Sequence, residues 1–441
     1  MQRAAPTTLG QRRVGRRQFL KGALAAAGAF GLLAACGGEA APPASPTGTP
    51  ARRQAQIKTD FGVSDSEIKL GHVGILSGPL QAVYAPITYT LQAYFRKVNE
   101  EEGGVCGRRI NFIVEDSQNN PSRALEALRK LVEGDQVAAV VRPTGIPTVQ
   151  LATDYARDRR VPILLIGSGT SLAGDYRSSA WTTEYLPPSE PLGRFMARYV
   201  QQNFPNRSVA VLYENQDLFR LTYEGFRAEF RGQIVTVQSY ESGAADITSQ
   251  IVNLRGSNPD IVHLAVSPAF GAQVFRYMRS SGWRPQVVSH YFNVPSTVAA
   301  LVGGGEGIQV GFQQIAGLVT THWAMDPVGD AGQPAMQEHR RIMERFGGPG
   351  TAVSNLTANN QIGAEIIVET LRRACDAGDL TREGILRAHE SIRGFHPTLL
   401  YPGINVDLGP QDHYAIQHVM VVRVEADGRL TPLLREPALA E

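Results

Sequence analysis

Ser168 lies between Gly167 and Gly169, a nucleophile's residue type at a spacing that misses the Gly-x-Ser-x-Gly of a nucleophile elbow. His413 and His418 stand five apart near a β-rich stretch. Two imidazoles could ligate a metal there, but surface or hydrogen-bonded core roles are far commoner for such a pair. The chain has no His-Glu-x-x-His, no Cys-x-x-Cys and no P-loop. The run Gly303-Gly304-Gly305-Glu306-Gly307 follows a helical stretch rather than a strand and lacks the third glycine of a dinucleotide fingerprint, so it reads as a turn. Asp and Glu scatter without a spacing that singles out an acid and a base. Neither catalysis, nor a metal, nor a cofactor is expected.

What remains is binding. In doubly wound sheets, ligands sit beyond the carboxyl ends of the strands, where helix N-termini and free N–H groups favour an anion. Three strand ends suit this. Ser77-Gly78-Pro79 is followed by Tyr84, Arg142-Pro143 leads into Thr144-Gly145, and Gly167-Ser168 leads into Gly169-Thr170-Ser171. Glycine permits close backbone approach, and hydroxyls add donors. Ordinary βα turns use the same residues; three of them in one lobe bring the two readings level.

The elements around these turns alternate. Strands are expected at 68–76, 109–116, 137–141, 161–166, 208–213, 233–240, 260–266 and 286–290. Helices are expected between them, among them 86–102, 121–133, 147–159, 187–204, 218–231, 246–255 and 270–282. The strands are continuous apolar runs, as parallel sheets covered on both faces require. Composition breaks fall near 182–191 and 316–332, followed by long helices at 334–346 and 355–377 and short strands near 398–401 and 414–424. The fold class is α/β: two Rossmann-like doubly wound lobes, with the chain returning to the first lobe after the second.

A chain of 441 residues with 43% hydrophobic and 19% charged residues can fill two cores. Its charge of +2 excludes a strongly basic nucleic-acid binder. Arg3, Arg12, Arg13, Arg16, Arg17 and Lys21 supply six of the basic residues within the first 35; the other 37 basic residues face 41 acidic ones, a balance of −4. Arg16-Arg17-Gln18-Phe19-Leu20-Lys21 resembles a twin-arginine export signal, although Gly15 replaces the usual hydroxyl residue. The 14 apolar residues Gly22 to Ala35 are too short for a bilayer of about 30 Å. Leu33-Ala34-Ala35-Cys36 resembles a lipobox, which implies acylation of Cys36 and anchoring by more than one chain. Residues 36–65, rich in Pro, Ala, Ser and Thr, read as a tether. Cys106 and Cys375 are either a disulfide or two buried thiols.

The order of motifs carries a further resemblance. IKLGHVGILSGPL, the stretch Asn99 to Arg108 (NEEEGGVCGR), NFIVEDSQNNPSRAL, VVRPTGIPTV, PILLIGSGTS, SVAVLYENQDLFRLTYEGF and GAQVFRYMRSSGW together resemble Leu/Ile/Val-type periplasmic binding proteins over residues 66–425. The resemblance implies a type I periplasmic binding fold with three crossover strands. Residues 1–35 would be the signal peptide, 66–183 with 318–395 one lobe, and 184–317 with 396–441 the other. It also implies capture of a small carboxylate-bearing ligand and its delivery to the permease and ATPase subunits of an ABC importer. The protein would be a monomer, lipid-anchored to the outer face of the cytoplasmic membrane. A ligand-sensing subunit for a signalling receptor is the alternative, and an exported enzyme the remoter one.

The resemblance assigns Tyr84, Thr144, Gly145, Gly169, Thr170 and Ser171 to the ligand from the first lobe, and Phe219, Ser267 and Tyr291 from the second. There the chain departs from amino-acid binders. Leu218-Phe219 and Ser267 replace tyrosines, and Ser289 to Asn293 holds no acid for an ammonium group. An ammonium buried without a counter-charge is costly, so a ligand with an apolar or aromatic body is favoured over a standard amino acid. Gly145-Ile146-Pro147-Thr148 and Trp181-Thr182-Thr183 are similar to a divergent branch of the family.

Overall fold

The first sheet is built from continuous buried runs such as Ala139–Val141 and Ile163–Ile166, in which every residue is buried. The computed structural model describes residues 57–170, 174–177, 179–348, 351–434 and 438–439. The export signal, Cys36, most of the tether and Ser171 lie outside the described residues. Five strands form this sheet: β1 (Glu67–Gly74), β2 (Arg109–Asp116), β3 (Ala139–Val141), β4 (Ile163–Ile166) and β5 (Thr182–Glu184). Their order is β2-β1-β3-β4-β5, and all pairs are parallel. Helices α1 (Gln81–Glu101), α2 (Pro121–Arg129) and α3 (Ile146–Arg159) connect them. Asn120 caps α2, accepting from Arg123 N, with Pro121 at the first helical position.

The second sheet follows α4 (Ser189–Asn203). It holds β6 (Val209–Glu214), β7 (Ile234–Tyr240), β8 (Ile261–Ala265), β9 (Gln286–Ser289), β10 (Val319–His322), β11 (His418–Val424) and β12 (Leu430–Pro432). The order is β12-β11-β10-β9-β8-β6-β7, with β11 antiparallel to both neighbours. Helices α5 (Asp217–Glu229), α6 (Thr248–Gly256), α7 (Pro268–Ser281), α8 (Pro295–Gly303) and α9 (Ile308–Ile315) cover it. The chain then returns to the first lobe as α10 (Pro334–Phe346), α11 (Asn355–Asp376) and α12 (Arg382–Glu390). The expected doubly wound α/β architecture is present, and residues 55–441 form one compact unit. No helix among the described residues is long and apolar enough to cross a membrane.

Three segments pass between the lobes and bridge to one another, Glu184 to Tyr414 and Ala324 to Leu400. The second passage lies later than the break expected near 317, because β10 pairs with β9 in the second sheet. Thr398 to Tyr401, expected as a strand, contributes only the Leu400 bridge. Helix α1 starts at Gln81, before the expected Pro86. Pro86 removes one helical N–H, but the carbonyl it deprives is that of exposed Ala82, where water substitutes.

Two glycines set the spacing of the second lobe's first helices. A Cβ at Gly193 would stand 2.0 Å from Thr222 O, and one at Gly225 2.0 Å from Glu190 O. Helices α4 and α5 therefore touch backbone to backbone, and the start of α5, Leu218 and Phe219, is held against the lobe seam.

Cys106 and Cys375 form a disulfide with Cα atoms 6.5 Å apart, closing a separation of 269 residues. It ties the turn after α1 to the end of α11. Replacing both cysteines by serine is expected to cost about 2–5 kcal/mol while leaving the fold intact. Urea denaturation of the two proteins measures this, and coincident midpoints would refute a stabilising role.

Candidate functional site

The turn after β4 was expected to offer its amides to a ligand. Glu184, at the end of β5, takes the Ser168 amide and caps the backbone that follows itself. Its carboxylate accepts from Ser168 N (3.0 and 3.1 Å), Tyr185 N (3.0 Å), Leu186 N (3.0 Å) and the Ser168 hydroxyl. The pairing of β4 with β5 brings the acid under the turn. Glu184 is fully buried, and burial pushes its carboxyl up to about 7 against the lowering effect of these donors. Thr170 is drawn inward as well: its N donates to Ser168 Oγ (3.2 Å) and its carbonyl accepts from Tyr414 Oη (3.3 Å). A ligand carboxylate at this turn would meet an internal one.

Gly169 has φ +64°, and its carbonyl accepts from Ser189 N (3.0 Å) and Ser189 Oγ (2.6 Å). A Cβ there would lie 2.3 Å from Leu218 Cδ1 and 3.2 Å from Tyr291 Oη. The lobes therefore meet over this glycine. Tyr291 is 4% exposed, packs against His290 (4.0 Å), Phe292 (4.9 Å) and Trp323 (4.7 Å), and its buried hydroxyl has no hydrogen-bond partner. Burial and the nearby Glu184 charge push its pKa up.

The other expected residues divide. Thr144 turns away from the seam, donating from both N (2.9 Å) and Oγ1 (3.2 Å) to Val73 O, so its hydroxyl serves the first sheet. Gly145, at φ +89°, precedes α3 and lies against Asn119 and Ile75. Phe219 is a core residue, 2% exposed and edge-on to His290 and Phe292. Ser267 stands at the start of α7 and its N donates to Glu214 Oε2 (3.2 Å). Tyr84 is half-buried in the first turn of α1, and burial, with a smaller contribution from the Glu214 charge, raises its pKa. His413 is buried and bonded to Glu390 (3.1 Å). Among the described residues no group of three or more His, Cys, Asp or Glu is placed to hold a metal ion.

Sequence reasoning missed four residues. Glu184 and Glu214 are buried acids that end buried strands, and Leu218 faces Gly169. Arg142, also buried, donates to Asn360 Oδ1 (3.2 and 2.8 Å) and Leu165 O (3.1 Å) and lies 4.0 Å over the Tyr185 ring. Burial lowers its pKa, and it braces the strand ends to α11. The available signal was a charged residue closing a run such as SVAVLYE, since such a residue is buried with its strand.

Known proteins share this architecture. The family described as Periplasmic binding protein matches residues 67–429. Leu/Ile/Val-binding protein homolog 7 of Brucella abortus (strain 2308) is 21% identical over 334 residues, 72% of this chain and 80% of that protein. A branched chain amino acid ABC transporter from Thermus thermophilus with bound valine superposes with TM-score 0.72 at 17% identity, over 86% of this chain and 97% of the other. A fatty acid ABC transporter substrate-binding protein from Thermomonospora curvata gives TM-score 0.69 at 21% identity, over 87% and 95%. With two doubly wound lobes joined by three crossing segments and a family match along almost the whole described chain, the protein belongs to the periplasmic binding protein family and has its type I fold.

Proposed function

We propose that this chain is an extracytoplasmic solute-binding lipoprotein that captures a small organic ligand between its lobes and hands it to the permease and ATPase subunits of an ABC importer. The observation that carries the reading is the Tyr291 hydroxyl, buried without a partner where Gly169 and Leu218 bring the lobes together. A buried unpaired hydroxyl costs stability and marks a place where a ligand's polar group fits. Leu218, Tyr291 and Phe292 form an apolar wall beside it, suited to a branched or aromatic body. The relatives' names, covering Leu/Ile/Val, valine and fatty acid, support an organic ligand with an apolar part. The ligand's carboxylate, if it carries one, docks away from the Ser168 turn that Glu184 fills. Acylation of Cys36 would hold the receptor at the outer face of the membrane as a monomer.

Thermal shift against a broad panel of small metabolites tests the reading. A true ligand at 100 times its Kd is expected to add about 2.7 kcal/mol of stability, visible as a rise in Tm. No stabilisation by any member, with no small molecule released from the purified chain, would sink it.

A further inference from the structure

Glu214 closes β6 at the lobe seam and is 5% exposed. Its two hydrogen bonds come from neutral donors, Tyr240 Oη (3.2 Å) and Ser267 N (3.2 Å), and both end on Oε2. The nearby basic and amide side chains are engaged elsewhere: Arg220 pairs with Asp217 and Glu224, and Asn215 donates to Glu241. Among the described residues no Lys, Arg or His comes within ion-pairing distance of Glu214, so a buried acid stands without a counter-charge. Glu214 stands four residues before Leu218, whose side chain lies over Gly169 of the other lobe. The acid therefore faces the space that the lobes share.

The opposite wall is complementary in what it lacks. In the Ser168 turn, the expected anion holder, Glu184 takes the Ser168 N and hydroxyl, and Thr170 N is spent on Ser168 Oγ. Arg142, the buried cation beneath that turn, is held in place by three donations to Asn360 Oδ1 and Leu165 O. Around the seam two buried carboxylates, Glu184 and Glu214, and the buried Arg142 are all held by neutral partners, and none forms an ion pair among the described residues. A buried charge left unpaired is costly, and a partner that supplies the opposite charge recovers that cost.

Resting on the receptor reading above, we propose that Glu214 receives a cationic or N–H-bearing group of the ligand, so that the cleft selects an amine or amide on an apolar frame and does not require a carboxylate. The acid's position at the end of β6 differs from the Tyr291 region, where the resemblance placed the ammonium partner and where Ser289 to Asn293 holds none. Oε1 is the atom available to the ligand, while Oε2 stays fixed by Tyr240 and Ser267.

The test uses the full chain and matched probes on two apolar frames: 3-methylbutylamine, 3-methylbutanamide and 3-methylbutanoate, with benzylamine, benzamide and benzoate. On at least one frame the amine or amide is expected to raise Tm and the carboxylate not to. Glu214→Gln keeps an acceptor for Tyr240 and Ser267 but loses the charge. It is expected to weaken the amine about 30-fold or more. Should that variant not fold, the wild-type contrast between amine and carboxylate decides alone. Carboxylates that bind where amines do not, or an amine affinity unchanged in the folded Glu214→Gln protein, overturn the assignment and leave the receptor intact. If no probe binds, mass spectrometry of the molecule released on denaturing the purified chain decides. A compound with an amine or amide supports the assignment and one without either overturns it; release of nothing removes the receptor reading and the assignment together.

Discussion

Acidification from pH 7 to pH 4 is expected to unfold this protein cooperatively, because it carries His72, His263, His290, His322 and His389 buried and neutral. Burial holds His72 and His263 down to about 4 and His389 to about 3, and drives His290 and His322 below the usual imidazole range. Their partners suit the neutral ring. His72 meets Val141 O (3.0 Å) and Thr88 Oγ1 (2.9 Å), and His389 meets Thr183 Oγ1 (3.1 Å) and Thr370 Oγ1 (2.7 Å). In the unfolded chain these rings titrate near 6.5. Between that value and about 4 the unfolded state binds protons that the folded state refuses. Stability is therefore complete above pH 6.5 and lost as pH falls through the window, by about 3–5 kcal/mol for each fully shifted ring.

Glu184 works the other way. Raised to about 7, its contribution is present below pH 4.5 and lost as pH rises through 7, by up to about 3 kcal/mol. The histidines outnumber it, and their sum rivals a whole domain's stability of about 5–15 kcal/mol. Circular dichroism across pH 4–8 measures the balance, and a Tm that stays level from pH 7 to 4.5 would contradict it. His263 offers a control. Its ring stacks on Phe226 at 4.3 Å, and neither nitrogen makes a hydrogen bond. His263→Phe is expected to raise neutral-pH stability by about 1–3 kcal/mol and to move the acid midpoint downward.

Gly169→Ala is expected to weaken ligand binding about 5- to 150-fold while leaving the separate lobes folded. The added Cβ would stand 2.3 Å from Leu218 Cδ1 and 3.1 Å from Ser189 Oγ, which is overpacking of about 1–3 kcal/mol. The Leu218 part of that penalty falls on the lobes only where they meet, so it subtracts from the free energy of closing on a ligand. The left-handed backbone at φ +64° adds a strain that both states share and that cancels from affinity. Leu218→Ala in the Gly169→Ala background removes the clashing methyl and is expected to recover most of the loss. Isothermal titration with a ligand identified by thermal shift decides it; equal affinities for wild type and Gly169→Ala would refute the seam as the binding surface.

Much of this architecture was legible along the chain. Strands such as VAVLYE and IVHLA declare themselves because parallel strands buried on both faces must be continuously apolar. Helices α10 and α11 were visible through their length, with Pro334 at the start of one; the Ser354 capping box that starts the other emerged only in the structure. Helices α9 and α12 were not visible, being short, while α8 was read only as a helical stretch before Gly303. The turns after the strands were read correctly as turns, yet their hydroxyls and amides were assigned to a ligand when Thr144 and Ser168 serve the protein itself.

That division has one physical cause. Local pattern records which surfaces a segment must bury, and this determined the α/β class, the two lobes and the absence of a recognisable catalytic motif. It does not record which donor meets which acceptor once distant strands align. Ser168 and Glu184 are joined by the pairing of β4 with β5, Glu214 and Ser267 by the neighbouring strands β6 and β8, and Cys106 and Cys375 across 269 residues. Gly169 and Leu218 meet only because two lobes face each other. Polar recognition in this receptor was decided by tertiary structure, since a hydrogen bond depends on angstroms that hydrophobic spacing leaves open.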